Sequence, residues 1–308
     1  MQKKQRLVMA GLIAIALAGA LGSCGAKSAK PSGKKQIAVT YSVLGSLVKE
    51  LVGDQAEVRV MIPNGLDVHE WEPSAADIEA LTRADLIVQN GLGLEGGMEK
   101  ALEQAKKEGV PFFTASEHVT VRRVGSGEGI PGDDPDQAAG AEDPHLWTDP
   151  LAAKAVVDAL SADIESRFGF KVEGQREVMD RELEALDVEI KAKVEALPVE
   201  KRRLVTGHES LGYFAQRYGF KLVGAVVPSL STQAEVSAGE LASLRKAIEA
   251  NGVSVVFTET GAPPQVVKAL AREAKIRAIE LEVHAMPPDG GYLAFERRLA
   301  ETVVEGLK

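Results

Sequence analysis

Short apolar, β-branched runs alternate with amphipathic stretches of helical length along this chain, and that alternation constrains its fold more than any other feature. The pattern predicts strands at 36–40, 57–62, 85–89 and 111–114, then again at 203–206, 221–226, 254–258 and 277–282. Helices are expected at 150–168, 210–218, 237–251, 264–274 and 291–307. Strands separated by helices imply parallel sheets covered by helices on both faces, an α/β fold. Parallel sheets of this kind bind ligands beyond the carboxyl ends of their strands. Between the two groups of strands lies a long helical stretch, 175–197, rich in Glu, Lys, Leu and Ala. Gly174 precedes it and Pro198 stops it. At 1.5 Å per residue it would run about 35 Å, enough to cross a domain. Its apolar positions do not sustain heptads, which argues against a coiled coil.

The first residues are not part of this fold. Lys3, Lys4 and Arg6 make a basic start, followed by an apolar run over 7–22 that is shorter than the ~20 residues needed to span a bilayer. Residues 1–23 therefore read as a signal peptide. The run ends in Leu21-Gly22-Ser23-Cys24, which resembles a bacterial lipobox and makes Cys24 the expected site of lipidation. Cys24 is the only cysteine in the chain, so no disulfide is available and stability must come from the core. Residues 24–35 read as a flexible polar tether. The formal net charge is −9 and becomes more negative without the signal peptide. That balance argues against nucleic acid as a partner and fits a cation ligand.

Three of the five histidines sit at strand exits or in loops beside carboxylates. His69 lies in Asn64-Gly65-Leu66-Asp67-Val68-His69-Glu70-Trp71-Glu72-Pro73, and His145 in Asp143-Pro144-His145-Leu146-Trp147-Thr148-Asp149-Pro150. His208 lies in Thr206-Gly207-His208-Glu209-Ser210. Imidazole is the commonest protein ligand for zinc-like ions, so the three point to a metal site. A single loop histidine is ordinarily a surface residue or a cap, and no HExxH or CxxC pair is present. The segment Gly91-Leu92-Gly93-Leu94-Glu95-Gly96 fits G-x-G-x-x-G, yet it follows the third strand rather than the first. Its glycines read as turn formers rather than as a dinucleotide site.

In these contexts the sequence resembles the zinc- and manganese-binding solute-binding lipoproteins of bacterial ABC importers. The resemblance rests on the segments around His69, His145 and His208, on Ala84–Glu95 and on Val255-Val256-Phe257-Thr258-Glu259, in the family's order. It implies two α/β lobes, at 36–170 and 199–308, joined by a rigid helix at 171–198, with the metal site in the cleft between them. It also implies that His69, His145 and His208 are metal ligands. The family's fourth ligand is a carboxylate near the end of the last strand, and Glu282 is the nearest match, with Glu280 and His284 as rivals. Glu259 matches a family position where a carboxylate hydrogen-bonds a ligand imidazole. The partners implied are an importer permease and, through Cys24, the membrane, for a monomer working outside the cytoplasm.

Three imidazoles and a carboxylate close a tetrahedral shell, as in a binding site rather than an enzyme. Zinc is the expected cargo, with manganese the alternative. If Glu282 does not coordinate, three histidines plus water would make a mononuclear zinc enzyme, with Glu70 or Glu209 as acid or base; a metal-binding surface adhesin is the third reading. Trp71 and Trp147 are expected to wall the site and His118 to lie at the surface. Residues 122–145, rich in Gly, Pro and acids, read as a long mobile loop with at most a weak attraction for cations.

Overall fold

A computed structural model describes residues 33–129, 138–288 and 290–308. The signal peptide, Cys24, most of the tether and the middle of the acidic loop lie outside the described residues. Described residues 34–308 form one compact unit. Its first half carries β1 (Lys35–Val39), α1 (Ser42–Val52), β2 (Ala56–Val60), α2 (Ala75–Arg83), β3 (Leu86–Gln89), α3 (Glu99–Lys107) and β4 (Phe112–Thr114). The four strands make one parallel sheet in the order β2-β1-β3-β4. The two central strands carry Ile37, Val39, Leu86, Ile87 and Val88, all buried, which is why these β-branched and apolar runs occupy the middle of the sheet. Lys35, assigned to the tether on sequence, already belongs to β1.

Two long helices follow, α4 (Pro150–Phe168) and α5 (Glu173–Glu195). Asp149 caps α4 by accepting from Leu151 N at 2.8 Å, Pro150 occupies the first turn, and Gly169 ends the helix at φ 70°. The second half contains β5 (Arg203–Thr206), α6 (Gly212–Tyr218), β6 (Lys221–Ala225), α7 (Ala238–Asn251), β7 (Val255–Thr258), α8 (Pro264–Ala274), β8 (Arg277–Glu280) and α9 (Tyr292–Leu307). Here β5 pairs with β6 and β7 with β8, all parallel, and β5 packs beside β7. The long helix α5 packs on α4 and α1 from the first half and on α9 from the second. Its buried stripe of Met179, Leu183, Leu186, Ile190 and Val194 recurs at helical spacing, so one helix serves both halves as a spine.

The last strand is shorter than its sequence pattern predicts. It ends at Glu280 because its partner β7 ends at Thr258, and after one further bond from Leu281 N to Thr258 O (2.7 Å) the ladder has no more backbone to pair with. Residues 281–284 therefore leave the sheet as a loop, with the side chains of Leu281, Val283 and His284 buried and Glu282 exposed.

The glycine-rich turn after β3 is closed from within. Glu95 folds back so that its carboxylate accepts from Asn90 N (2.6 Å), Gly91 N (3.3 Å) and the Thr40 hydroxyl (2.8 Å). The amides that a nucleotide phosphate would need are already engaged, so the glycines form turns, as the sequence reading holds. The last glycines have a different reason. A Cβ on Gly97 would lie 2.4 Å from Trp71 O, and one on Gly96 3.0 Å from His69 O. Gly97 N in turn donates to His69 O at 2.9 Å. The glycines are small so that the backbone carrying His69 can lie directly on this turn. Gly97→Ala should force that backbone away and lower stability by about 1–3 kcal/mol, the usual scale for overpacking, measurable by thermal or urea unfolding.

Candidate metal centre

Four histidines converge where the loops at the carboxyl ends of the strands meet. His69 comes from the β2–α2 loop, His145 from the segment before α4, His208 from the β5–α6 loop and His284 from the segment after β8. Each offers a ring nitrogen, and these atoms all lie within 4.8 Å of one another. All four residues are buried, with exposure of 2% or less. The ring centroids of His69 stand 5.4 Å from those of His145 and His208 and 5.9 Å from that of His284.

Three of these are the histidines singled out on sequence. The fourth member is His284, not Glu282. Glu282 is exposed and, with Glu280 and Arg298, lines a separate surface groove. The reason is the early end of β8: once the chain leaves the ladder at Glu280, the next two residues carry Glu282 outward and Val283 and His284 inward. His284 was one of the rivals considered for this position.

Two of the imidazoles are braced by buried carboxylates. Asp143 Oδ1 accepts from His145 Nδ1 and from His145 N, both at 2.9 Å, and Asp143 Oδ2 pairs with Arg122 at 2.9 Å. Glu259 Oε1 lies 3.1 Å from His208 Nδ1 and accepts from His208 N at 2.9 Å, while its other oxygen accepts from Ser210 Oγ at 2.8 Å. Glu259 thus sits behind the His208 ring. Close approach requires missing side chains. A Cβ on Gly207 would come within 2.9 Å of Glu259 Cγ, and one on Gly212 within 2.0 Å of Asp143 Oδ2.

His69 and His284 have no such brace. The Nε2 of His69 and both ring nitrogens of His284 are buried without a hydrogen-bond partner. His208 Nδ1, although 3.1 Å from Glu259 Oε1, also makes no hydrogen bond. A buried unpaired polar atom is costly, and four inward-facing imidazoles with four such nitrogens make a donor set that fits a cation. Asp143 shows a signal that sequence reasoning passed over. Asp67-Val68-His69 and Asp143-Pro144-His145 share an Asp-x-His spacing, and in both the aspartate Oδ1 accepts from the histidine N–H at 2.9 Å. The same local turn presents both histidines.

Protonation follows from these surroundings. Burial, with neighbouring histidines adding to it, pushes His69 and His145 well below their ordinary value, and His284 to about 4. Burial also disfavours charge on His208, but Glu259 outweighs it and the net shift is upward. Burial would raise Glu259, yet His208 holds it down to about 2. Burial raises Asp143 to about 6, despite Arg122. The Nε2 atoms of His145 and His208 face each other at 3.1 Å. With the Nδ1 of each ring turned to a carboxylate, one proton carried by His208 satisfies both lone pairs.

Trp147 walls the site as expected: its ring stands 5.3 Å from His145 and 5.8 Å from His284, and its indole N–H donates to Val283 O at 3.0 Å. Trp71 is half-buried against the core and meets no histidine ring among the described contacts. His118 is exposed and stacks on Phe113. The two described arms of the acidic loop pair through an antiparallel bridge between Arg123 and Glu142; residues 130–137 lie outside the described residues.

Known proteins resemble this chain in sequence and fold. The manganese ABC transporter substrate-binding lipoprotein PsaA of Streptococcus mitis is 29% identical over 262 residues, covering 82% of this chain and 81% of that protein. The iron ABC transporter substrate-binding lipoprotein MtsA of Streptococcus pyogenes is 27% identical over 288 residues, covering 90% and 88%. The solved structure of the periplasmic zinc-binding protein TroA from Treponema pallidum superposes with a TM-score of 0.77 at 26% identity, covering 89% of this chain and 99% of that one, and shares the two-lobe α/β fold. The sequence profile of the zinc-uptake complex component A, periplasmic, matches residues 37–306. This chain belongs to that family, the periplasmic metal-binding components of ABC transporters.

Proposed function

We propose that this protein captures zinc outside the cytoplasm and delivers it to the membrane permease of an ABC importer, anchored by a lipid on Cys24 and acting as a monomer. The observation that carries the choice of metal is a donor set of four imidazole nitrogens with no oxygen among them. Nitrogen-rich, tetrahedral sets favour zinc, whereas manganese prefers carboxylate, carbonyl and water oxygens. Relatives of this chain are named for manganese, zinc or iron, so the donor set and not kinship supports zinc. The ligands in this reading are His69, His145, His208 and His284, with Asp143 and Glu259 orienting two of them.

Four protein ligands also leave no open position for an activated water. This favours a carrier over the three-histidine enzyme and matches relatives named as transport proteins. Two ligands come from each half of the molecule, so a bound ion ties the halves together.

Competition titration of the purified protein should show zinc preferred over manganese, and metal analysis should give one zinc per chain; a preference for manganese would refute the assignment. His284→Ala should weaken zinc binding by more than about tenfold, the loss seen even when a residue behind a ligand is removed, and Glu282→Ala should leave it unchanged. The reverse pattern would restore the carboxylate as fourth ligand.

Zinc must also displace the proton between His145 and His208. Because the folded value of His208 is raised, that proton is present near pH 6.5 and lost as pH rises past the shifted value. Zinc uptake near pH 6.5 should therefore release about one proton per ion, falling toward zero at higher pH. Calorimetry in buffers of different ionisation enthalpy reads this number directly. Glu259→Gln, by removing the charge that raises His208, should reduce it.

A further inference from the structure

His145 and His208 are braced by carboxylates on their rings, but nothing comparable holds His69. Its position depends on its backbone. His69 N donates to Asp67, and His69 O accepts from Gly97 N (2.9 Å) within its own half. The same carbonyl accepts a second bond, from Gln233 Nε2 at 2.7 Å, and Gln233 belongs to the β6–α7 loop of the other half. At the start of the His69 loop, Asn64 makes a two-pronged contact across the same divide. Its Nδ2 donates to Met286 O at 2.9 Å and its Oδ1 accepts from Met286 N at 2.7 Å. Met286 stands two residues beyond His284. The loop that presents His69 is thus gripped twice from the opposite half, near its start beside the His284 segment and at His69 itself.

Both grips lie near solvent: Asn64 and Gln233 are exposed. Some bonds between the halves are interior, such as Trp147 Nε1 to Val283 O and Tyr292 Oη to Trp147 O. The interior bonds hold the halves together, whereas the two amide grips hold only a loop. Neither amide reaches the ring cluster, so both act through backbone placement.

We propose that Asn64 and Gln233 are positioning residues that clasp the His69 loop to the second half and set how fast a bound metal ion leaves. This rests on the proposed function for its cargo, but the clasp itself does not require metal. When the clasp opens, the loop lifts from the turn at Gly96-Gly97, His69 leaves the set, and three histidines remain. Zinc then dissociates without separation of the halves.

The test uses Gln233→Met, which keeps length and removes the donor without adding charge, Asn64→Ala, and the double variant. In the metal-free protein, hydrogen exchange of the Gly97 amide reports detachment of His69 O. It should accelerate roughly five- to tenfold in each single variant, the scale of one hydrogen bond. Zinc release to excess chelator, followed by stopped flow, should accelerate by a similar factor. The absorption spectrum of the Co(II)-loaded protein should stay that of the parent, because the ligand set is intact. Unchanged Gly97 exchange in both single variants would overturn the clasp, as would zinc release at the parental rate. A parent chain that takes up no zinc would overturn the proposed function instead, because Gly97 exchange judges the clasp without any ion.

Discussion

The contact between the Nε2 atoms of His145 and His208, 3.1 Å apart, is the interaction around which the rest of this structure is arranged. Two imidazole nitrogens at that distance repel unless one of them carries a proton for the other or both share a metal ion. The rings are kept there by Asp143 and Glu259, one behind each, and those carboxylates are themselves held by Arg122 and Ser210. Removing one brace would leave a buried polar atom unpaired and let its ring turn. The two glycines that lack side chains beside these carboxylates, Gly207 and Gly212, belong to the same arrangement.

The fold supplies the convergence. Parallel strands end on the same side of their sheets, so the loops after β2, β5 and β8 all open toward one cleft. The spine helix α5 packs on helices from both halves and fixes their spacing along its buried stripe. Interior hydrogen bonds from Trp147 and Tyr292 close the same divide near the site. What remains adjustable is the loop bearing His69, held by backbone and by two amide side chains.

Much of this was legible in the sequence. All eight described strands were marked by their apolar runs, and α4 by the helical stretch expected over 150–168. His69, His145 and His208 stood out through their strand-exit contexts. The fourth histidine of the cluster was less legible for a physical reason. Glu280, Glu282 and His284 share one face of an extended chain, so alternation could not choose among them. The choice depends on where β7 stops, and that is a property of the partner strand. Arg122 behind Asp143 and the seat of the His69 backbone on Gly97 are contacts between distant segments, and no local pattern announces them. The Asp-x-His spacing, by contrast, was present twice in plain view.

His284 arrives on a short extension beyond the last ladder bond, and its two ring nitrogens make no hydrogen bond. The two braced histidines, His145 and His208, are embedded in networks with Asp143, Arg122, Glu259 and Ser210. Chemical identity at one corner of the cluster is therefore uncoupled from architecture. A residue with an oxygen donor at this corner would convert the all-nitrogen set to a mixed one while leaving the sheets, the spine and both braces as they are. Proteins similar to this chain are named for manganese, zinc and iron.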